Sequence, residues 1–163
     1  MKKITGTEKS LKELLQNTKY SIHYYQREYA WQYKQVQELI DDLTDEFLNF
    51  YDPDHERIDV ANYGVYFMGS VVLAGRENAI IDGQQRLSSL SLLLIYIRRR
   101  LLDQGATIAA IDQMIYSESY GTASFNISVE DREPCLKALN DGEDFDQSGY
   151  GESVNNLYAR YQD

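Results

Sequence analysis

The stretch Ala79-Ile80-Ile81-Asp82-Gly83-Gln84-Gln85-Arg86-Leu87 decides the fold. Three apolar residues run into Asp82-Gly83, a turn signal, so Ala79–Asp82 reads as a short buried strand. From Gln84 onward Leu87, Leu90, Leu94, Ile97 and Leu101 keep helical spacing, and Leu92, Leu93, Ile95 and Leu102 fill the other faces. A helix apolar on so many sides is predicted to be the central buried helix of the domain. Asp82-Gly83-Gln84-Gln85-Arg86 then sits where a strand becomes the first turn of a core helix. Free backbone N–H groups and the positive end of the helix dipole converge there, which suits an anion. Arg86 opposes that dipole and calls for a negative partner, either an internal carboxylate or a bound phosphate. The same residues allow a plainer reading: Asp82 caps the helix, Gly83 makes the turn, and Arg86 pairs with a surface Glu.

Outward from this turn, Val65–Leu73 reads as a second strand. Gly75-Arg76-Glu77-Asn78 joins it to Ala79–Asp82 as an antiparallel hairpin. The central strand would deliver Asp82-Gly83 to the mouth of the sheet. Upstream, Glu8–Asn17 reads as a helix and Tyr20–His23 as extended chain, leading into an irregular aromatic loop up to Trp31. Its rings could stack on bases and Arg27 could meet a phosphate, but most of the tyrosines read as cover for the core edge with wet tips. Gln35–Phe50 is an amphipathic helix, and its Glu38, Asp41, Asp42, Asp45 and Glu46 read as a solvated face rather than a metal site. Tyr51–Asn62 is a surface loop.

Downstream, Arg98-Arg99-Arg100 reads as a charge complement to a helix C-terminus rather than a nucleic-acid patch. Thr107–Tyr116 reads as a short helix, Phe125, Ile127 and Val129 as a half-buried strand, and Pro134–Asn140 as one or two helical turns. Asp141–Glu152 resembles a calcium loop only loosely, since Phe145 takes a ligand position, and is expected to be a mobile loop. Ser153–Gln162 begins another helical pattern without a closing signal, so the chain reads as a fragment.

Composition narrows the chemistry. A chain of 163 residues, 43% hydrophobic and 26% charged, suits a single domain. A net charge of −10 argues against strong duplex binding, which needs Lys and Arg against phosphates, yet leaves room for a small basic pocket. Cys135 is the one cysteine, excluding an intrachain disulfide, and His23 and His55 are the only histidines. There is no P-loop sequence and no secretory h-region, and a cytoplasmic location is expected.

Three stretches in order carry a resemblance. These are Tyr25-Gln26-Arg27-Glu28-Tyr29-Ala30-Trp31 with Gln35 and Asp41-Asp42, then Tyr66-Phe67-Met68-Gly69-Ser70-Val71-Val72-Leu73, then Ile81-Asp82-Gly83-Gln84-Gln85-Arg86-Leu87-Ser88-Ser89-Leu90. Together they resemble the N-terminal domain of the GmrSD restriction endonucleases, over about residues 11–102, with a looser likeness across 107–163. The resemblance implies an α+β fold similar to ParB and sulfiredoxin, as one domain over 1–163, within a bacterial system that restricts modified phage DNA. It implies a domain that binds a nucleoside triphosphate (GTP or ATP) with Mg²⁺ and hydrolyses it. DNA would be met through the full-length protein, and the nuclease chemistry would lie in a separate C-terminal domain. His23 stands where the family often has Pro, and Ser88-Ser89 where Thr-Thr is frequent.

Roles follow from the motifs and the resemblance together. Gly83 and the amides after it would cradle phosphates, with Tyr25, Gln26, Arg27 and Ser88 also contacting nucleotide. Arg86 would neutralise charge, Asp82 would hold the metal or orient a water, and Gln84 or Gln85 would position the attacking water. The rival expectation is a non-catalytic DNA-sensing or regulatory module in which nucleotide only switches conformation.

Overall fold

The computed structural model describes residues 4–23, 28–75, 77–119, 121–127 and 129–163. The expected strand and helix at the decisive stretch both form. Strand β3, Ala79–Asp82, lies between β1, Ser21–Ile22, and β2, Val72–Ala74. It pairs parallel with β1 (Ile22 opposite Ile80) and antiparallel with β2 (Val72 opposite Asp82). Immediately beyond β3 comes helix α3, Gln84–Asp103, 20 residues long.

Among the described residues, six α-helices and two small sheets make an α+β fold. Helix α1, Leu11–Leu15, precedes β1, and α2, Tyr33–Leu48, follows it. Helix α4, Ala109–Ile115, runs into the hairpin of β4, Tyr116–Ser119, and β5, Thr122–Phe125. Helices α5, Glu133–Asp141, and α6, Glu152–Gln162, close the described chain. The core gathers around Leu87, Leu90 and Ile95 of α3, with Ile80 of β3, Leu15 of α1 and Leu157 of α6. Among the described residues no helix is long and apolar enough to cross a membrane.

Several expectations are corrected. Ser10 caps α1 in a reciprocal box with Glu13, and Asn17 turns to positive φ, so the helix is shorter than Glu8–Asn17. Ile97 and Leu102 are partly exposed, so the core face of α3 is confined to its first three turns. The strand expected over Val65–Leu73 shrinks to three residues: Gly69 takes φ +89° and a register shift falls at Val72/Leu73. The region expected as one strand around Phe125 is a hairpin, and beyond it Ile127 bridges Tyr20 in parallel. In the acidic loop after α5, mostly exposed, Phe145 packs on Tyr150 and Tyr158 with ring centroids 4.9 and 5.6 Å apart.

The arginine run also differs from a solvent-facing charge complement. Arg98 pairs with Asp112 of α4 at 2.6 Å and donates to the Asn140 carbonyl of α5, while Arg99 donates to the Asp141 carbonyl at 3.0 Å. Two of the three cations therefore staple α3 to its neighbours. Asn126, which no sequence signal marks, ties another junction: its side-chain amide donates to the Leu15 and Gln113 carbonyls, and its backbone N–H to that of Ile115.

Candidate functional site

The turn between β3 and α3 is open at the helix end. Gly83 is the N-cap, in the left-handed region at φ +92°, and no side chain caps the helix. The first intrahelical bond runs from Leu87 N–H to the Gly83 carbonyl, so the amides of Gln84, Gln85 and Arg86 precede the ladder. Capping by Asp82, the plainer alternative, is not what forms: Asp82 is exposed, and its carboxylate has no hydrogen-bond partner among the described residues.

Glycines let a second segment lie on this turn. A Cβ at Gly83 would stand 3.2 Å from Val71 Cγ2 and 3.4 Å from the Ser70 carbonyl oxygen. A Cβ at Gly69 would stand 3.1 Å from the Arg86 guanidinium. Chain 69–71 thus folds over the first turn of α3 with the Arg86 side chain against it. Among the described residues that guanidinium makes one hydrogen bond, Nη1 to the Ser70 carbonyl at 3.1 Å, and no ion pair. Arg86 is half-buried, so its other donors are partly withdrawn from water without a carboxylate to answer them. In the same helical turn, Gln84 Oε1 is buried without a hydrogen-bond partner among the described residues.

Tyr66 reaches over from the same segment. Its hydroxyl donates to Asp42 Oδ2 at 2.5 Å; that bond to a carboxylate is the main cause raising the phenol pKa, against which the Arg86 charge pulls weakly down.

Gln85 has a different position from Gln84. Its Oε1 accepts from Ala30 N–H at 2.9 Å and its Nε2 donates to the Glu28 carbonyl at 2.7 Å. Both ends of the amide are therefore spent on the backbone of the aromatic stretch. That segment is fixed further along: Tyr29 shares a 2.7 Å hydrogen bond with Ser89, and Asn156 of α6 donates to the Tyr29 and Trp31 carbonyls. The two motifs, nearly sixty positions apart, meet through these contacts. Tyr25, Gln26 and Arg27 lie outside the described residues. Ser88 is buried, facing Arg132, whose Nη1 reaches its hydroxyl at 3.4 Å. It thus presents no surface to a ligand at the turn.

Beneath the turn lies a small internal space lined by Ser88, Ser91, Arg132, Ile22 and Leu157, among others. Arg132 is buried there, with its guanidinium carbon 5.9 Å from the centre of the Tyr29 ring. Burial is the main cause raising the Tyr29 phenol pKa, opposed by its Ser89 bond and nearby arginines. Sequence reasoning missed Arg132; only the fold brings it under Tyr29 and Ser88.

The metal expectation has one carboxylate at the turn. Among the described residues no group of three or more His, Cys, Asp or Glu side chains could hold an ion. Asp82 alone still fits Mg²⁺ arriving with a phosphate, since that ion commonly takes one or two carboxylates and completes its shell with phosphate oxygens and water.

A search of curated proteins returns no match. Residues 11–163 match the family model of the GmrSD restriction endonuclease N-terminal domain, well past the motif-bearing 11–102 and through α6. The chain therefore belongs to the family of GmrSD restriction endonuclease N-terminal domains, and is a domain of a restriction-system protein.

Proposed function

We propose that this domain binds a nucleoside triphosphate at the start of α3 and hydrolyses it, as the nucleotide-dependent part of a restriction protein acting in the cytoplasm. One observation carries the reading: the half-buried Arg86 guanidinium has no carboxylate partner among the described residues, yet stands at the uncapped, positive end of a 20-residue helix. Two unanswered positive features at one point favour a polyanion.

In this reading Gly83 and the amides of Gln84–Arg86 take phosphate oxygens, and Arg86 neutralises them. Arg27 adds a second cation from the segment that Gln85 holds. Asp82 would hold Mg²⁺, which neutralises phosphate charge when bound. Gln85, with both amide ends engaged, positions the aromatic stretch, which leaves Gln84 to orient a water.

GTP or ATP with Mg²⁺ should raise the thermal midpoint, by roughly 2.7 kcal/mol of stabilisation at a hundred times Kd. Arg86→Ala should abolish the shift while leaving the apo midpoint nearly unchanged. If neither triphosphate shifts the wild-type midpoint, the site assignment is lost. Phosphate release from the full-length protein separates hydrolase from sensor: Asp82→Ala and Gln84→Ala should lower kcat more than affinity. Binding without any phosphate release would favour the switch reading.

A further inference from the structure

Helix α2 carries unusual charge and little of the core. Its 16 residues include one buried residue, Leu39. Residues 33–62 hold nine carboxylates against Lys34 and Arg57, so this short part of the chain bears −7 of the net −10. One ion pair, Lys34 with Glu38 at 3.7 Å, falls within it among the described residues.

The chain then folds back along this helix. Tyr63 packs on Phe47 and Phe50 with centroids 5.4 and 6.1 Å apart. A Cβ on Gly64 would collide with the Phe50 ring and the Glu46 carboxylate, and Tyr66 reaches Asp42. Positions 63 to 66 therefore run antiparallel to α2, from its end toward its middle. Their neighbours stay bare: Ile58 is 76% exposed, Val65 89% and Phe67 82%, and Leu48 and Tyr51 are also exposed. Single exposed apolar residues mean little, but Val65 and Phe67 stand bare on either side of Tyr66, on a segment that packing on α2 holds in place.

We propose that α2 and the returning chain 58–67 form a docking surface for a basic, amphipathic protein segment. The chemistry selects the occupant. The exposed apolar side chains call for an apolar face, and the carboxylates of the same part of the chain call for Lys or Arg. That charge opposes a second copy, which would bring −7 against −7, and opposes nucleic acid and anionic membranes alike. The surface lies apart from the α3 turn except at Tyr66, so its occupant does not depend on the nucleotide reading.

The test titrates the whole chain into a labelled synthetic amphipathic peptide of leucine and lysine, followed by fluorescence anisotropy. Oligolysine and a leucine–glutamate peptide of equal length serve as comparisons. The Leu–Lys peptide should bind at least about tenfold more tightly than either. The V65S/F67S double variant should lose that preference by about tenfold, while Leu102→Ser, an exposed apolar position elsewhere, should not. Val65 and Phe67 are so exposed that the variant should melt like the wild type, which circular dichroism verifies. Equal binding of oligolysine, or no effect of V65S/F67S, would reduce the arm to a bulk-charge effect and overturn the proposal. So would Val65- and Phe67-dependent dimerisation in sedimentation, which would make the occupant a second copy. Binding of phosphatidylglycerol vesicles that depends on those residues would assign the surface to membrane instead.

Discussion

Gln85 bonds to Glu28 and Ala30 through both ends of one amide, a geometry that fixes the register between α3 and the aromatic stretch. Removing it leaves an N–H and a carbonyl that water can reach, because both backbone residues are exposed. Gln85→Ala should therefore cost only about 1 kcal/mol of global stability. Its local effect should be larger and is easy to read. Trp31 is the only tryptophan, half-buried and next in the chain after Ala30, which the clamp holds, and its emission should shift to the red as the segment loosens. Emission unchanged from wild type would mean that Ser89, Ser153 and Asn156 hold the segment without Gln85.

At the scale of the element, α3 is secured at its C-terminal end by cations that reach carbonyls of α5. Arg99 packs directly over Gly142, the left-handed C-cap of α5 at φ +73°, where an added Cβ would overlap the guanidinium. Gly105 also has positive φ, +67°, but open space around it. Gly105→Ala should then cost about 1 kcal/mol for left-handed strain alone. Gly142→Ala should cost about 1 kcal/mol more, for the displaced Arg99 bond. Urea denaturation of the two variants measures the difference, and equal midpoints would deny Arg99 a part in joining α3 to α5.

The whole molecule separates its charges. Arg98, Arg99 and Arg132 are turned inward to staple helices or support Tyr29, while the acidic excess sits on α2 and the loop after it. With a net charge of −10, the chain as a whole repels a phosphate backbone, and affinity for duplex DNA scales with cation–phosphate contacts. The isolated chain should fail to retard duplex DNA at physiological salt, with or without base modification. A salt-sensitive shift that disappears in Arg100→Ala would revive the arginine run as a nucleic-acid patch.

The strand Ala79–Asp82, the helix that follows it and the family were legible in the chain. Periodicity and turn residues are local, and a motif keeps its order whatever the fold does with it. The helix start itself was legible, but whether Asp82 caps it was left open until the structure placed Gly83 there with no side-chain cap. Tertiary structure alone decided which polar groups are spent. Nothing in the spacing distinguishes Gln84 from Gln85, yet one acceptor is left without a partner and the other amide grips a segment from fifty-five positions upstream. Likewise Arg98 and Arg99 look like a surface run until α4 and α5 bring Asp112 and two carbonyls against them. Hydrogen-bond partners distant in sequence leave no local pattern, since only the packed core of α3 brings them within reach.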